Sequence, residues 1–559
     1  SSRRRHTRFR NVTGVQTCAL PICLDEALAS YDRALTLRPN YRLAYVNRGN
    51  LLASLGRHDE ALVSYDRALA LDPAMAPVHG NRGDSLAALG RLAESAAAYD
   101  RAFGHDAYSP YAAGNALHAR QHLCAWGELD RLKATLEQLD PRRRVIRPFA
   151  AQAVLDDPAK LLACTAAYAA AEFPARAPLA GSGPSPAERI RLAYVSGDFH
   201  DHPVMRLLAE VFERHDRSAF EIRAVSFGPA AADALRSRLE KAFGSFSNVR
   251  TESDLEIARL LARQQTDIAV DLMGYTRGSR PGIFSHRPAP VQATYLGYPG
   301  TLGSPCFDYL IADPVIAPKE HQPFYAEKLV QLPDSYLVNA GRPAPDSTPA
   351  RETFGLPQRG FVFCCFNHTY KITPALFDVW MGLLRQVEGS VLWLFGSNRD
   401  AEANLRREAE TRGVAPGRLV FAARVDSALY LPRFRAADLF LDTLPYNAHS
   451  TAADALWAGL PVLTCRGNTF PGRVAASLLR SVGLPELATT SLADYAELAL
   501  RLARSPEELA ALRLRLEASR SSAPLFDAER FTRHLESAWR TMHERRLRGL
   551  PPEGFAVSG

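Results

Sequence analysis

The chain has 559 residues, 47% of them hydrophobic and 23% charged, enough for several globular domains with large apolar cores. No run of eighteen or more apolar residues occurs, which excludes a bilayer-crossing helix and any membrane partnership of that kind. The net charge of +7 is no nucleic-acid footprint, because five arginines fall in the acid-free residues 1–22 and without them the balance is +2.

Residues 1–22 (SSRRRHTRFRNVTGVQTCALPI) lack the apolar core of a signal peptide and resemble translated adapter sequence. They are read as a non-native leader. The eight cysteines, Cys18, Cys23, Cys124, Cys164, Cys306, Cys364, Cys365 and Cys465, follow neither a disulfide-framework nor a zinc spacing. A reducing, cytoplasmic location is expected.

A repeat of thirty-four residues follows. Asn47, Arg48, Gly49, Gly56, Tyr65, Asp66, Arg67 and Ala68 return as Asn81, Arg82, Gly83, Gly90, Tyr99, Asp100, Arg101 and Ala102. The same shift backwards matches Asp25, Glu26, Ala27, Tyr31 and Pro39 to Asp59, Glu60, Ala61, Tyr65 and Pro73, and stops at about Leu24. The first unit therefore lacks its first helix, and the chain is read as a fragment. Each unit is a helix–turn–helix of the tetratricopeptide type, with small residues allowing close approach and proline ending the second helix. Asn47 and Asn81 hold equivalent positions on successive first helices. Their amides can bond an extended peptide backbone, or they are simply exposed helix asparagines; spacing alone leaves both open. The repeats and a helical extension are assigned to 23–140, including a helical pair in Ala112–Leu139, and a linker to 141–187, flexible over Pro174–Pro186.

Beyond residue 187 strands alternate with helices. Ile190–Ser196, Glu221–Phe227, Asp267–Met273 and Val291–Leu296 read as buried strands of one half. Phe361–Phe366, Val391–Phe395, Leu419–Ala422, Leu439–Asp442 and Pro461–Cys465 read as those of another. Two doubly wound α/β domains are predicted, 188–345 and 346–546, followed by a tail at 547–559, with a ligand cleft between the carboxyl ends of the strands. There is no Gly-x-Gly-x-x-Gly fingerprint or Gly-Lys-Ser/Thr loop, which argues against nicotinamide cofactors and P-loop phosphoryl transfer.

The loops that follow the strands carry the chemistry. Ser196-Gly-Asp198-Phe-His-Asp-His202-Pro puts acid and imidazole groups at a strand end, where a histidine can act as base or orient a diphosphate. Gly274, Tyr275 and Thr276, with Tyr298, Pro299, Gly300 and Thr301, form glycine- and hydroxyl-rich loops of the kind shaped around a polar ligand. Phe366-Asn-His368-Thr-Tyr-Lys371-Ile places a lysine where it can neutralise a departing diphosphate. In the string from Leu441 to Val462, Ser450 and Thr451 open a helix whose free N–H groups suit an anion, and Asp454 can accept from ribose hydroxyls. By itself, Asp454 also reads as a capping carboxylate.

From Leu24 to about Arg546 these motifs, in this order, resemble the O-GlcNAc transferase / SPINDLY family in its bacterial form: Ser-x-Asp-Phe-x-x-His-Pro, Gly-Tyr-Thr-x-Gly-x-Arg, Arg-Pro-Ala-Pro-x-Gln, Leu-Gly-Tyr-Pro-Gly-Thr, Phe-Asn-x-x-Tyr-Lys-Ile and Asn-x-His-Ser/Thr-Thr-x-x-Asp. The resemblance implies a tetratricopeptide solenoid followed by a GT-B glycosyltransferase, with metal-independent, cofactor-free inverting transfer of N-acetylglucosamine from UDP-GlcNAc to Ser/Thr of protein acceptors bound along the repeats. It implies His202 as general base or acceptor-site group and Lys371 as the diphosphate-holding lysine. His449, Ser450 and Thr451 become the sugar- and phosphate-binding string, and Asp454 the ribose-binding aspartate. Tyr430 stands where a histidine often stacks on uracil, and Arg433 near the nucleotide. Four residues depart from relatives: His368 replaces a glutamine at the donor site, Ser427 a lysine, Tyr275 the histidine of plant SPINDLY members and Ala448 a glycine. A SPINDLY-like fucosyltransferase using GDP-fucose, a non-catalytic repeat scaffold and an asparagine-directed transferase are the alternatives.

Overall fold

The computed structural model describes residues 21–107, 109–127, 129–138, 140–179, 188–343, 345, 347–396 and 398–559. The expected leader lies outside the described residues except for its last two positions, and so does 180–187 of the expected linker. Two compact units result, Ser1–Ser109 and Pro110–Gly559.

The first unit is helical: α1 (Pro21–Leu37), α2 (Arg42–Ser54), α3 (His58–Leu71), α4 (Ala76–Ala88) and α5 (Leu92–His105). The repeat exists because glycine faces tyrosine inside each pair. A Cβ on Gly49 would stand 2.5 Å from the Tyr65 ring, and one on Gly83 would stand 2.6 Å from Tyr99. Successive units are laced by Arg48 to Asp32 and Arg82 to Asp66. Asn47 is exposed. Asn81 donates its amide to Asn50 Oδ1 at 2.8 Å, an oxygen that also accepts from the Tyr65 hydroxyl.

The second unit opens with α6 (Ala112–Leu123), α7 (Leu129–Gln138), α8 (Pro148–Gln152) and α9 (Pro158–Glu172). Two parallel sheets follow. The first contains β1 (Ile190–Ser196), β2 (Phe220–Ser226), β3 (Ser245–Asn248), β4 (Ile268–Asp271), β5 (Val291–Thr294), β6 (Tyr309–Ala312) and β7 (Lys328–Gln331). The second contains β8 (Val362–Cys365), β9 (Val391–Phe395), β10 (Leu419–Ala422), β11 (Leu439–Leu441), β12 (Val462–Cys465) and β13 (Ala488–Thr489). Phe555–Ala556, within the expected tail, returns as β14 on the edge of β7. Strand orders are β14-β7-β6-β5-β4-β1-β2-β3 and β10-β9-β8-β11-β12-β13. Each order reverses once, between β1 and β4 and between β8 and β11, and such switch points leave a crevice beyond the strand ends. The continuous apolar runs become strands because helices cover both faces of each sheet. β4, β5, β8 and β12 are buried along their whole length.

The last long helix, Ala528–Leu547, crosses back to the first lobe (the β1–β7 sheet with its helices). Its Glu536 accepts from the buried His215 Nδ1 at 3.0 Å and from the Asp216 N–H at 2.7 Å. His215 Nε2 lies 2.9 Å from the Tyr194 hydroxyl. Burial lowers the His215 pKa, so the ring is neutral near pH 7. With Nδ1–H given to the carboxylate, Nε2 accepts from Tyr194. Glu536→Ala strands the buried His215 donor and the half-buried Asp216 N–H and should cost roughly 1–3 kcal/mol, whereas Glu536→Gln, keeping an acceptor, should cost under about 1 kcal/mol, read from urea melts.

Candidate active site

Loops from both switch points enclose a cavity of about 330 Å³. Leu296, Gly297, Tyr336 and Leu337 of the first lobe line it with Pro203, Val204 and Leu207 of α10 (Pro203–Arg214). The second lobe contributes Phe366, Asn367, His368 and Lys371 after β8, Phe395, Tyr430 and Arg433, and Tyr446, His449, Ser450 and Thr451 after β11.

Asp442, buried at the end of β11, organises the second lobe's wall. It accepts from the backbone N–H groups of Thr443 (2.7 Å) and Ala448 (2.6 Å), from the Thr464 hydroxyl (2.7 Å) and from the Asn367 amide (3.1 Å). Burial pushes its carboxyl up to about 6. The loop it shapes presents the Asn447 carbonyl, to which Lys371 Nζ donates at 2.8 Å. The amine also lies 3.9 Å from the Tyr446 ring centroid. Burial pulls the Lys371 amine down to about 7, against the opposing pull of Asp442.

His449 precedes the helix Ser450–Trp457, which no side chain caps. The first N–H groups of a helix have no internal partner, so this uncapped end is suited to an anion. The His449 ring stacks on Tyr446 at 5.0 Å, with Nε2 3.3 Å from the Pro471 carbonyl. Arg433 is buried among aromatic faces, 4.4 Å from the Phe366 centroid and 4.6 Å from that of Tyr430. Its Nε has no hydrogen-bond partner among the described residues.

Two expected residues stand at the edge of the cavity. His202 caps α10, and its neighbours Pro203 and Val204 line the wall. Its Nδ1 lies 3.4 Å from the Val204 N–H and 3.5 Å from Asp198 Oδ2. Nδ1 serves one role at a time: in one tautomer it accepts from the Val204 N–H and the proton sits on Nε2, and in the other it donates toward Asp198, gives up the cap and leaves Nε2 as a base. Burial lowers the His202 pKa, and Asp198 opposes that shift. Asp454 is not free: it accepts from Arg342, from Asn339 (3.4 Å) and from the Tyr430 hydroxyl (2.9 Å).

The loops Gly274–Thr276 and Tyr298–Thr301 do not line this cavity; of that stretch only Leu296 and Gly297 do. They pack on one another and on the preceding helices instead, and Tyr298–Thr301 line a separate small pocket with Gln152 and with Thr469–Pro471 of the second lobe. A Cβ on Gly274 would stand 2.4 Å from that of Tyr298, and the Tyr275 hydroxyl donates to the Leu302 carbonyl. Thr276 bonds the Met273 carbonyl, and Thr301 donates to the buried Glu327 at 2.7 Å. Pro299 accepts from Gln152 of α8 at 2.8 Å, and Gly300 also packs against Gln152. These residues attach the preceding helices to the sheet.

A sequence profile of glycosyl transferase family 41 matches residues 179–344 and 340–535, and a tetratricopeptide-repeat profile matches 43–75. The Arabidopsis thaliana protein named "Probable UDP-N-acetylglucosamine--peptide N-acetylglucosaminyltransferase SEC" is 34% identical over 79% of this chain and 48% of its own length. The Caenorhabditis elegans UDP-N-acetylglucosamine–peptide N-acetylglucosaminyltransferase is 26% identical over 65% of this chain and 41% of its own. A solved structure of a mutant Thermobaculum terrenum O-GlcNAc transferase is 31% identical, covers 94% of this chain and 95% of its own, and superposes with a TM-score of 0.71. The chain belongs to glycosyl transferase family 41. It spans less than half the length of the two curated relatives.

As in the GT-B arrangement expected of this family, the cavity lies between two parallel α/β lobes. Sequence reasoning missed Asn367, Asp442 and Tyr446 as site builders, although all three stand within the quoted motifs. It had no signal for Arg342, which is 112 positions from the Asp454 it binds. Among the described residues no group of three or more His, Cys, Asp or Glu could hold a metal ion, and no helix is long and apolar enough to cross a membrane.

The depressed Lys371 amine has a stability consequence. Between pH 7 and 10.5 the unfolded chain keeps a proton that the folded amine has lost, so folding stability rises with pH there by up to ~1.4 kcal/mol per unit. Below pH 7 both states are charged and the contribution is flat. Lys371→Met should abolish this rise and leave the ligand-free protein at least as stable as wild type at pH 7, measured by chemical denaturation across pH.

Proposed function

We propose that this chain transfers N-acetylglucosamine from UDP-GlcNAc to serine or threonine hydroxyls of protein acceptors, with inversion at the anomeric carbon. One observation carries the reading: the Lys371 amine and the uncapped start of the Ser450 helix share the wall of one cavity at the second lobe's switch point. An amine and a helix start so placed fit a diphosphate, and the relatives' printed names supply the sugar nucleotide. The acceptor oxygen attacks the anomeric carbon as the bond to the β-phosphate breaks, and the bonding pair leaves with the nucleoside diphosphate. Lys371, Arg433 and the N–H groups at Ser450 and Thr451 stabilise that charge. His202 takes the acceptor's proton. In this reading Tyr430 and Asp454 meet the nucleoside, His368 and His449 border the sugar, and the repeats hold the acceptor backbone, with the exposed Asn47 the better placed of the two amides.

Two measurements test this. Lys371→Met should lower transfer from UDP-GlcNAc more than about 100-fold while the protein stays folded, the scale expected when a charge stabiliser is removed. A donor panel in which GDP-fucose stabilises the protein and UDP-GlcNAc does not would overturn the assignment. In addition, UDP binding should recharge the lysine. At pH 8 calorimetry in buffers of different ionisation enthalpy should show uptake of nearly one proton, shrinking toward zero at about pH 6 and absent in Lys371→Met.

A further inference from the structure

Lys371 stands in a single 3-10 turn, Thr369–Lys371, whose own backbone closes only through Lys371 N to His368 O and Ile372 N to Thr369 O. So short a turn has little to resist displacement of a buried amine. The resistance comes from the end of α6. That helix stops at Cys124 in a left-handed conformation (φ 50°), leaving last-turn carbonyls in need of donors. The second lobe supplies them. The Thr369 hydroxyl donates to the His122 carbonyl at 2.7 Å, Asn398 donates to the same carbonyl at 3.2 Å, and Asn404 donates to that of Leu123 at 2.8 Å.

The rings of α6 complete the seat. Tyr370, between Thr369 and Lys371, has the His118 ring at 5.2 Å and the His122 ring at 4.8 Å. The two Nε2 atoms are 3.2 Å apart, so one ring must donate to the other. Burial keeps both rings neutral, which preserves this bond. α6 lies ahead of residue 179, where the family match begins.

We infer that the carboxyl-terminal end of α6 positions Lys371, with Thr369 as the positioning residue that couples the helix to the amine. This deepens the donor-site reading and rests on it. Thr369→Val keeps the side chain's shape and removes the bond to His122. Thr369→Ser keeps the hydroxyl.

The experiment compares these variants and Asn398→Ala in the full chain by two readouts. The first is UDP affinity by calorimetry with the kcat and acceptor KM of transfer. The second is the pH dependence of Lys371 acetylation by trace acetic anhydride, read by peptide mass spectrometry, which needs no nucleotide. Thr369→Val should weaken UDP binding about tenfold, lower kcat with acceptor KM unchanged, and move the amine's titration toward that of an ordinary lysine. Asn398→Ala should act in the same direction more weakly, and Thr369→Ser should restore wild-type behaviour. If Thr369→Val and Asn398→Ala both leave the Lys371 titration where wild type has it, the inference is overturned. A wild-type chain that binds no UDP, yet whose Lys371 titration shifts in Thr369→Val, would reject the donor reading and keep the positioning role.

Discussion

A primary amine held out of water costs free energy unless something nearby compensates it, and Lys371 is compensated only in part. One carbonyl and one aromatic face receive it, while the nearest organising carboxylate, Asp442, spends its hydrogen bonds on the loop that carries that carbonyl. The protein's own groups therefore leave this cation short of an anion. Arg433, packed among rings with an unpaired Nε, adds to the deficit, as does the uncapped helix start that lines the same cavity. In the proposed reading a bound diphosphate supplies the missing charge to all three.

Such a site must be held rigid from outside, because its own loops are short. The first lobe is tied to the second through buried polar links: Asp313 after β6 accepts from Ser477, and Arg473 donates to the Val315 carbonyl. The helix Ala528–Leu547 returns to the first lobe through the Tyr194–His215–Glu536 chain. From the other side α6 caps itself with side chains of the second lobe, and α8 is gripped by the Tyr298–Thr301 loop. The helices ahead of the sheets thus belong to the mechanics of the cavity.

Much of this was legible in the residues. The thirty-four-residue period, the apolar runs of the central strands and the loops after β1, β8 and β11 were read where they stand. Of the strands that escaped, β3, β13 and β14 lie at sheet edges, where the apolar run is weakest, whereas β6 and β7 lie inside the sheet and β6 is as short and as buried as the strands that were read. The glycine- and tyrosine-rich loops at Gly274 and Tyr298 carry the composition of a ligand-binding loop, yet their glycines serve close approach between protein segments. Composition does not separate a loop shaped around a ligand from one shaped around its own chain.

By itself, then, the sequence determined the helical repeat, the succession of strands and helices, and the residues placed just after strand ends, because hydrophobic period and turn chemistry are local properties. Tertiary structure alone decided which of those loops meet. It joined Arg342 to Asp454, seated the lysine turn on α6, and turned the Tyr298–Thr301 loop away from the cavity. The physical reason is separation along the chain. Contacts between residues more than a hundred positions apart depend on where two sheets reverse their strand order and how their lobes pack, and no local pattern records that.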